Sequence, residues 1–435
     1  MRIFLLETLL VGLIGLSIQA RDLTLQQTVQ LAEQHSLALK KAQTNGSGAL
    51  SDLSASKAER LPTLSVTGTA FYVSEVPTLT IAIPGSPVSL SREVGTSETY
   101  QTDARLNLPL FTGGKISGGI EAASATSQYY QALAQATNDQ VDYLARLGYL
   151  DLYRTDRLVL AALAAQKRAS VTSDNIRSLF AAGAADSVDL LDADLAVSKA
   201  NLAVAQAKTS RRASEIRLIT LLGVDPSESL NATDSFPSPQ LEPTQGLLSD
   251  SKPELKAADA SVQLYQARTR LSRSDFWPTL AAFGGFSYGQ PNLDRFNNTW
   301  NSYWTFGASL SWSFNLGSKT SRKVRAAKYY EDAVRDDRDQ TRENLERDVR
   351  LTFEQLRLSY ASYQNALEQD RIAGDDYRLA QQRYQNGDLA TNRLLEIQAS
   401  LANADASLAA TQADFYAAQT SYFYALGSDK IRKGF

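Results

Sequence analysis

The 435-residue chain contains no cysteine, one histidine and one methionine. Without cysteine there is no disulfide, no thiol nucleophile, no Cys-ligated zinc or iron–sulfur centre and no cysteine to acylate as a lipid anchor. His35 alone cannot build a multi-histidine metal site, and Met1 alone cannot form a thioether relay for soft metals. Charge of neither sign is in real excess: 44 Lys and Arg face 47 Asp and Glu, a formal net charge of -3, so the basic footprint of a nucleic-acid binder is missing. Long apolar runs are missing too. The one apolar stretch, Thr8 to Ile18, follows Arg2 and precedes the small residue Ala20. It is too short to span a bilayer as a helix and reads, despite Glu7, as an export signal over residues 1–20. Any later membrane contact must then be made by amphipathic strands.

What is present is repetition. P-T-L-S-V-T-G-T-A-F-Y from Pro62 matches P-T-L-A-A-F-G-G-F-S-Y from Pro278. After a surplus of 12 residues in the first copy, an offset of 204 persists: Leu106 with Leu310, Gly113 with Gly317, Gly183 with Gly387, Gly223 with Gly427. An internal duplication follows, with repeats over 21–223 and 254–427. Between them 224–253, holding five of the 12 prolines, reads as an irregular connector, and 428–435 as a tail.

Each repeat has the same predicted order. Leu23 to Leu61 is mainly helical, with a weak point at Asn45-Gly46-Ser47-Gly48, and Pro62 ends it. The period then changes to two. Trp304, Phe306, Ala308, Leu310, Trp312 and Phe314 alternate with small or hydroxylated residues, and Ala104, Leu106, Leu108 and Leu110 with Asp103, Arg105 and Asn107. Residues 113–182 and 317–386 contain no proline and predict helices of about 105 Å at ~1.5 Å per residue. Each is followed by a glycine turn and a returning helix of about 37 to 40 residues that ends at Gly223 or Gly427. Alanine at close spacing lets such helices pack on two flanks, which makes a wall in place of a filled bundle.

The strands admit two settings, a soluble sheet with one wet face or a transmembrane wall with lipid on one side. Strand length and tryptophans at the ends of the apolar stripe, Trp304 and Trp312, favour the wall, with Phe306, Leu310 and Phe314 also facing lipid. One chain supplies four strands, too few to close a barrel, so a membrane barrel has to be shared among copies. A soluble periplasmic coiled-coil scaffold is the alternative.

The motifs D-L-T-L-Q-Q-T-V-Q-L-A, R-L-P-T-L, L-N-L-P-L-F-T-G-G-K, A-G-A-A-D-S-V-D-L-L-D-A, Y-Q-N-G-D-L-A-T-N-R-L-L-E-I and Y-A-L-G, in this order and duplicated, resemble the TolC-like outer-membrane efflux protein family. The resemblance covers nearly the whole chain after residue 20. It implies a mixed α+β membrane protein of the bacterial outer membrane: a homotrimer with a shared transmembrane β-barrel and long helical hairpins forming a periplasmic α-barrel. It further implies docking to a periplasmic adaptor and an inner-membrane transporter, in efflux or type I secretion, with no cofactor.

The resemblance also implies a periplasmic gate. Tyr384, three before Gly387, matches the gating tyrosine, and Asp189, six after Gly183, its acidic partner, with Asp192 three residues further on. Local roles compete: a packed aromatic for Tyr384, a helix N-terminal charge for Asp189. Where close relatives of the best-known type carry two aspartates, this chain has Arg393 and Glu396, a pair that cancels its own field and predicts weakened cation selectivity. The tip residues Gly183, Ser187, Leu190 and Leu191 and their repeats Gly387, Thr391, Leu394 and Leu395 have a local reading, sharp reversal by glycine and capping by Ser or Thr. The resemblance adds contact with an adaptor.

Enzymatic patterns are weak. G-S-G-A-L-S at Gly46 sits in a helical stretch instead of after a strand, and G-G-K at Gly113 lacks the phosphate-loop spacing. Asp336-Asp337 and Asp375-Asp376 are adjacent on predicted helices and point apart, and His35 reads as a surface residue of the first helix.

Overall fold

The structure is a computed structural model that describes residues 21–241, 245–314 and 316–427; the predicted signal segment and the tail lie outside them. The first repeat comprises β1 (Arg21–Leu23), α1 (Leu25–His35), α2 (Leu37–Ala58), β2 (Thr63–Tyr72), β3 (Thr78–Ala82), β4 (Ser89–Glu93), β5 (Glu98–Phe111), α3 (Lys115–Ala181) and α4 (Ser187–Leu222). After β6 (Leu230–Ala232) come α5 (Pro253–Ser274), β7 (Thr279–Gln290), β8 (Asn301–Ser311), α6 (Lys319–Gln385) and α7 (Thr391–Leu426). α3 and α6 are 67 residues each and α4 and α7 are 36 each, slightly shorter than the sequence suggested. Their bounds are related by the same offset as the sequence repeat.

Two compact units are built from this chain. One contains the chain up to Ala42, Ala134–Pro253 and the part from Arg342; the other contains Gln43–Leu133 and Glu254–Thr341. The first unit is helical and has two main cores. In one, Leu23, Val29 and Ala32 meet Ala145, Tyr149 and Leu152 of α3, Leu218 and Leu222 of α4, and Leu230 of β6. In the other, Val349, Phe353 and Leu356 of α6 meet Phe415, Tyr416, Tyr422 and Phe423 of α7. Buried Lys252 closes the end of α7: its Nζ donates to the carbonyls of Tyr424 at 2.8 Å, which the Gly427 N–H also reaches at 3.1 Å, and of Ala425 at 3.0 Å, among the last acceptors of the helix.

Two local predictions need correction. The N-terminal helix breaks at Ser36, not at the Asn45–Gly48 stretch. Ser36 adopts an extended ψ of 110° and its hydroxyl accepts from the Leu39 N–H at 3.2 Å, starting a new helix. Gly46 and Gly48 stay inside α2, where the hydroxyls of Ser47 and Ser51 bond back to the carbonyls of Gln43 and Ser47 at 3.1 Å each; one glycine in a helix is tolerated at about 1 kcal/mol. The connector is not wholly irregular, because β6 pairs in parallel with β1, Leu230 opposite Arg21. Strands of three residues carry no readable period. The surplus of the first repeat lies between β2 and β5, where β3 and β4 form a separate hairpin.

The second unit carries a four-stranded antiparallel sheet in the order β2-β5-β7-β8. β8 lies three residues earlier than the alternation suggested, so Trp312 and Phe314 fall beyond it. Pairing stops at Thr279–Ser311. The next residue on β7's side is Pro278, which has no N–H to extend the ladder.

Candidate functional site

The register sorts side chains onto two faces, since alternate residues along a strand point to opposite sides. On one face Leu64, Leu106, Gly284 and Phe306 form a row across all four strands, and Val66, Ala104, Phe286 and Trp304 form the next. Leu280 opposite Leu310 and Ala282 opposite Ala308 continue it. The other face presents Thr63, Ser65, Thr67 and Thr69 of β2, Gln101, Asp103, Arg105 and Asn107 of β5, and Thr305, Ser309 and Ser311 of β8. There the Gln101 amide donates to Asp103 at 3.0 Å and to Ser287 at 3.2 Å. One face is thus apolar and the other mainly hydrophilic, with the aromatic Phe283 and Tyr303 among its members. Phe306 is 79 % exposed and Trp304 67 %, far too much apolar surface to leave in water.

Aromatic residues bracket the sheet at both ends. At one, Trp300 stacks on Tyr288 with ring centroids 5.0 Å apart and lies 6.4 Å from Tyr100. At the other, Trp312 lies 4.6 Å from Phe314 and its Nε1 donates to the Phe276 carbonyl at 3.2 Å, beside exposed Trp277. The alternation in sequence marks Trp304 as an end of the apolar stripe. The structure puts it inside the strand and gives that position to Trp300, which the doublet Tyr288–Trp300 flanking Pro291 could have signalled. Among the described residues, the outer strands β2 and β8 each leave one edge without a strand partner.

The two helical hairpins reverse in the same way. Gly183 and Gly387 hold φ of 74° and 80°, the left-handed region that glycine occupies without strain. The Ala184 N–H donates to the Leu179 carbonyl and the Asp388 N–H to the Arg383 carbonyl, each at 2.8 Å, closing the last turn in a Schellman pattern. Neither Ser187 nor Thr391 caps the returning helix. Asp186 caps α4, accepting from the Val188 and Asp189 N–H groups at 2.8 Å each, while Asp189 returns a weaker bond to the Asp186 N–H. α7 starts at Ala390 with no side-chain cap. An aspartate accepts from two amides more strongly than the adjacent hydroxyl would.

The tip residues divide by environment. Leu394 is 3 % exposed and joins Ala380 and Ile397 in a small core with Tyr377, Tyr384 and Leu389 packed on it. Thr391 is also buried, 3.4 Å from the Tyr384 hydroxyl. These two side chains therefore hold their own hairpin together and are not free to meet another protein. Leu191 is 68 % exposed, Leu190 and Leu395 are half-buried, and Ser187, Gly183 and Gly387 are exposed. Asp189 and Asp192 lie half-buried at the start of α4. Arg393 and Glu396 form an exposed ion pair at 3.0 Å, one helical turn apart. Within the single chain Tyr384 bonds its own hairpin, and the structure does not bring it to Asp189. His35 is exposed at the end of α1.

Farther from the tips, the Arg168 guanidinium of α3 grips Asp405 of α7. Asp370 of α6 sits against the same carboxylate; burial, and then the hydrogen bond with Asp405, push its carboxyl above the usual range. Apolar seams remain uncovered on α4 (Val188, Leu191, Leu195, Leu202) and on α6 (Leu351, Leu358, Ile372, Leu379). Their spacings of 3, 4, 7 and 14 residues are those of helix-packing stripes. No helix among the described residues is long and apolar enough to cross a membrane.

A two-faced, open-edged sheet carried on long helical hairpins defines a class: subunits of outer-membrane channels. The chain belongs to the outer membrane efflux protein family, whose profile matches residues 28–224 and 246–428. It is accordingly an outer-membrane protein extending into the periplasm. Its fold is similar to the Campylobacter jejuni CmeC outer membrane channel (TM-score 0.78, 17% identity, 93% of this chain and 85% of that one). It is likewise similar to the outer membrane protein VceC of Vibrio cholerae (0.77, 16%, 93% and 96%) and to the open state of the Neisseria gonorrhoeae MtrE channel (0.72, 18%, 93% and 89%). No curated protein matches it in sequence.

Proposed function

We propose that the chain is one protomer of a homotrimeric duct that conducts substrates passively from a periplasmic adaptor and an inner-membrane transporter to the exterior. The observation that carries this reading is the sheet: an apolar face, a hydrophilic face and two unpaired edges. An open edge cannot stand in hydrocarbon, and three copies of four strands close a ring that removes every edge. In that ring Trp304, Phe306 and Leu310 meet lipid, with Trp312 and Phe314 at the interface, and Asp103 and Arg105 line water. The uncovered seams on α4 and α6 supply surfaces for neighbouring hairpins. A soluble scaffold would leave all of this apolar surface in water. The same duct serves a tripartite efflux pump or type I secretion, according to its transporter.

At the periplasmic mouth, Tyr384, Asp189 and Asp192 form the gate in this reading, with the Arg393–Glu396 pair beside them. The paired charges leave little net field. Purified protein in planar bilayers is expected to form pores of weak ion preference, and Arg393→Asp to shift the reversal potential towards cation selectivity. A water-soluble monomer without conductance would remove the duct; pores whose reversal potential ignores the substitution would remove only the role of Arg393.

Adaptor contact falls to the exposed tip residues. Leu191→Asp is expected to abolish export while thermal stability stays unchanged. Leu394→Asp should also abolish export, but by destabilising the hairpin by at least ~2–5 kcal/mol, the range for emptying a buried leucine site. Melting curves with an export assay separate the two. Full export by Leu191→Asp, or an unshifted melt for Leu394→Asp, contradicts the assignment.

A further inference from the structure

The strand ends from which the helices leave lie together: Thr63 pairs with Asn107, Phe111 with Leu280, and Thr279 with Ser311. The stretches that follow or precede these ends, residues 57–62, 112–121, 268–278 and 316–325, carry ten lysines and arginines against three carboxylates. The chain as a whole has slightly more acid than base. At the opposite end, residues 73–97 and 291–300 hold two cations and three carboxylates, so the excess is confined to one end. Two of the three carboxylates in it are already engaged, Glu121 with Arg270 at 2.6 Å and Asp275 with Lys323 at 3.7 Å. Arg60, Lys115, Arg273, Lys319, Arg322 and Arg325 are exposed and, among the described residues, hold no ion pair.

Helix electrostatics favour the collar cations at the ends of α2 and α5, Lys57 and Arg273, and disfavour those at the starts of α3 and α6. The positive end of a helix dipole disfavours cations in the first turn. α4 and α5 obey the rule with Asp189 and Glu254 in their first turns. α3 and α6 have no acidic residue there and begin with Lys115 and Lys319, with Arg322 following on the next turn. α7 also starts with a cation, Arg393, but Glu396 pairs with it, whereas Lys115 and Lys319 hold no ion pair among the described residues and an anion supplied from outside would offset them. Exposed Phe276, Trp277, Trp312 and Phe314 stand at the same end, the mix of aromatic and basic side chains that suits the headgroup level of a bilayer.

We propose that this end of the sheet is a basic collar that binds the anionic phospholipid headgroups of the periplasm-facing leaflet, an inference that rests on the membrane reading above. The cations are spread over the ends of four elements and do not converge on one pocket, which suits a charged lipid surface and not a single small anion. Binding anionic lipid also offsets the unfavourable first-turn charges of α3 and α6.

The test uses the full chain reconstituted in vesicles of phosphatidylethanolamine alone or with phosphatidylglycerol, with retained lipid identified by native mass spectrometry. The wild type is expected to retain phosphatidylglycerol in preference, and to lose it as salt rises. Combining Lys319→Gln, Arg322→Gln and Arg325→Gln should reduce that preference at least about tenfold, since each basic residue near an anionic surface counts for about fivefold. Lys199→Gln with Lys208→Gln, on α4, should leave it intact. If circular dichroism shows the triple variant unfolded, Lys115→Gln with Arg273→Gln carries the same expectation. Equal retention of both lipids, or a preference that survives the collar substitutions, overturns the proposal. Failure to enter either vesicle removes the membrane reading and the collar with it; insertion and conduction without lipid preference removes the collar alone.

Discussion

Phe306→Arg is expected to eliminate the folded protein from the outer membrane, whereas Thr305→Arg, one residue away, should leave it largely in place. Phe306 is the sixth of the 11 residues of β8, opposite Gly284 in the middle of the apolar face. An arginine on the lipid face at the bilayer midplane costs about 2–4 kcal/mol, and a trimer pays it in each copy. Thr305 points to the opposite face, where an arginine side chain can be hydrated and already has Arg105 and Asp103 as precedents. Urea titration of protein refolded into vesicles, with fractionation of envelopes, measures both. Equal tolerance of the two substitutions would mean that the apolar face does not meet lipid.

Tyr149→Ala is expected to lower stability by about 3–5 kcal/mol, as for other large aromatic side chains removed from a core. Its ring is fully buried among Leu23, Leu152, Leu218 and Leu222. Its hydroxyl donates to the Leu23 carbonyl at 3.2 Å and accepts from the Asp234 N–H at 3.0 Å, tying the N-terminal strand and the connector to α3. Burial, set against the hydrogen bonds around it, pushes the phenol well above its usual range, so it stays a neutral donor throughout the physiological pH interval. Tyr149→Phe keeps the ring and strands the Asp234 N–H, while the Leu23 carbonyl still accepts from the N–H and hydroxyl of Thr233 at 3.1 and 3.0 Å, a loss of roughly 1–3 kcal/mol. Chemical denaturation gives the magnitudes, and hydrogen exchange at Leu23 and Asp234 locates them. If the Phe variant matches the wild type in both, the hydroxyl does not hold this junction.

The two predictions sit at opposite ends of legibility. Phe306 was readable because period two survives any context: a strand displays it whether or not its neighbours are known. The exact span of β8 was not, since it ends where its partner reaches Pro278. Tyr149 showed nothing special in sequence. Its importance comes from Leu23 and Asp234, which lie 126 and 85 residues away and meet it only through the β1–β6 pairing. The tips behave similarly. Gly183 and Gly387 announced the reversals, but the capping role of Asp186, and the inward turn of Leu394 while Leu191 faces solvent, depend on how each hairpin packs its own ends.

By itself the sequence determined the duplication, the long proline-free helices, the alternating strands and hence the family, because these are carried by spacing along the chain. Only the tertiary structure decided which strands are neighbours, and with that the separation of an apolar from a hydrophilic face, the aromatic rows at both ends and the gathering of cations at one of them. Cross-strand register and packing join residues as far as 209 and 278 positions apart, and no local pattern encodes such partners.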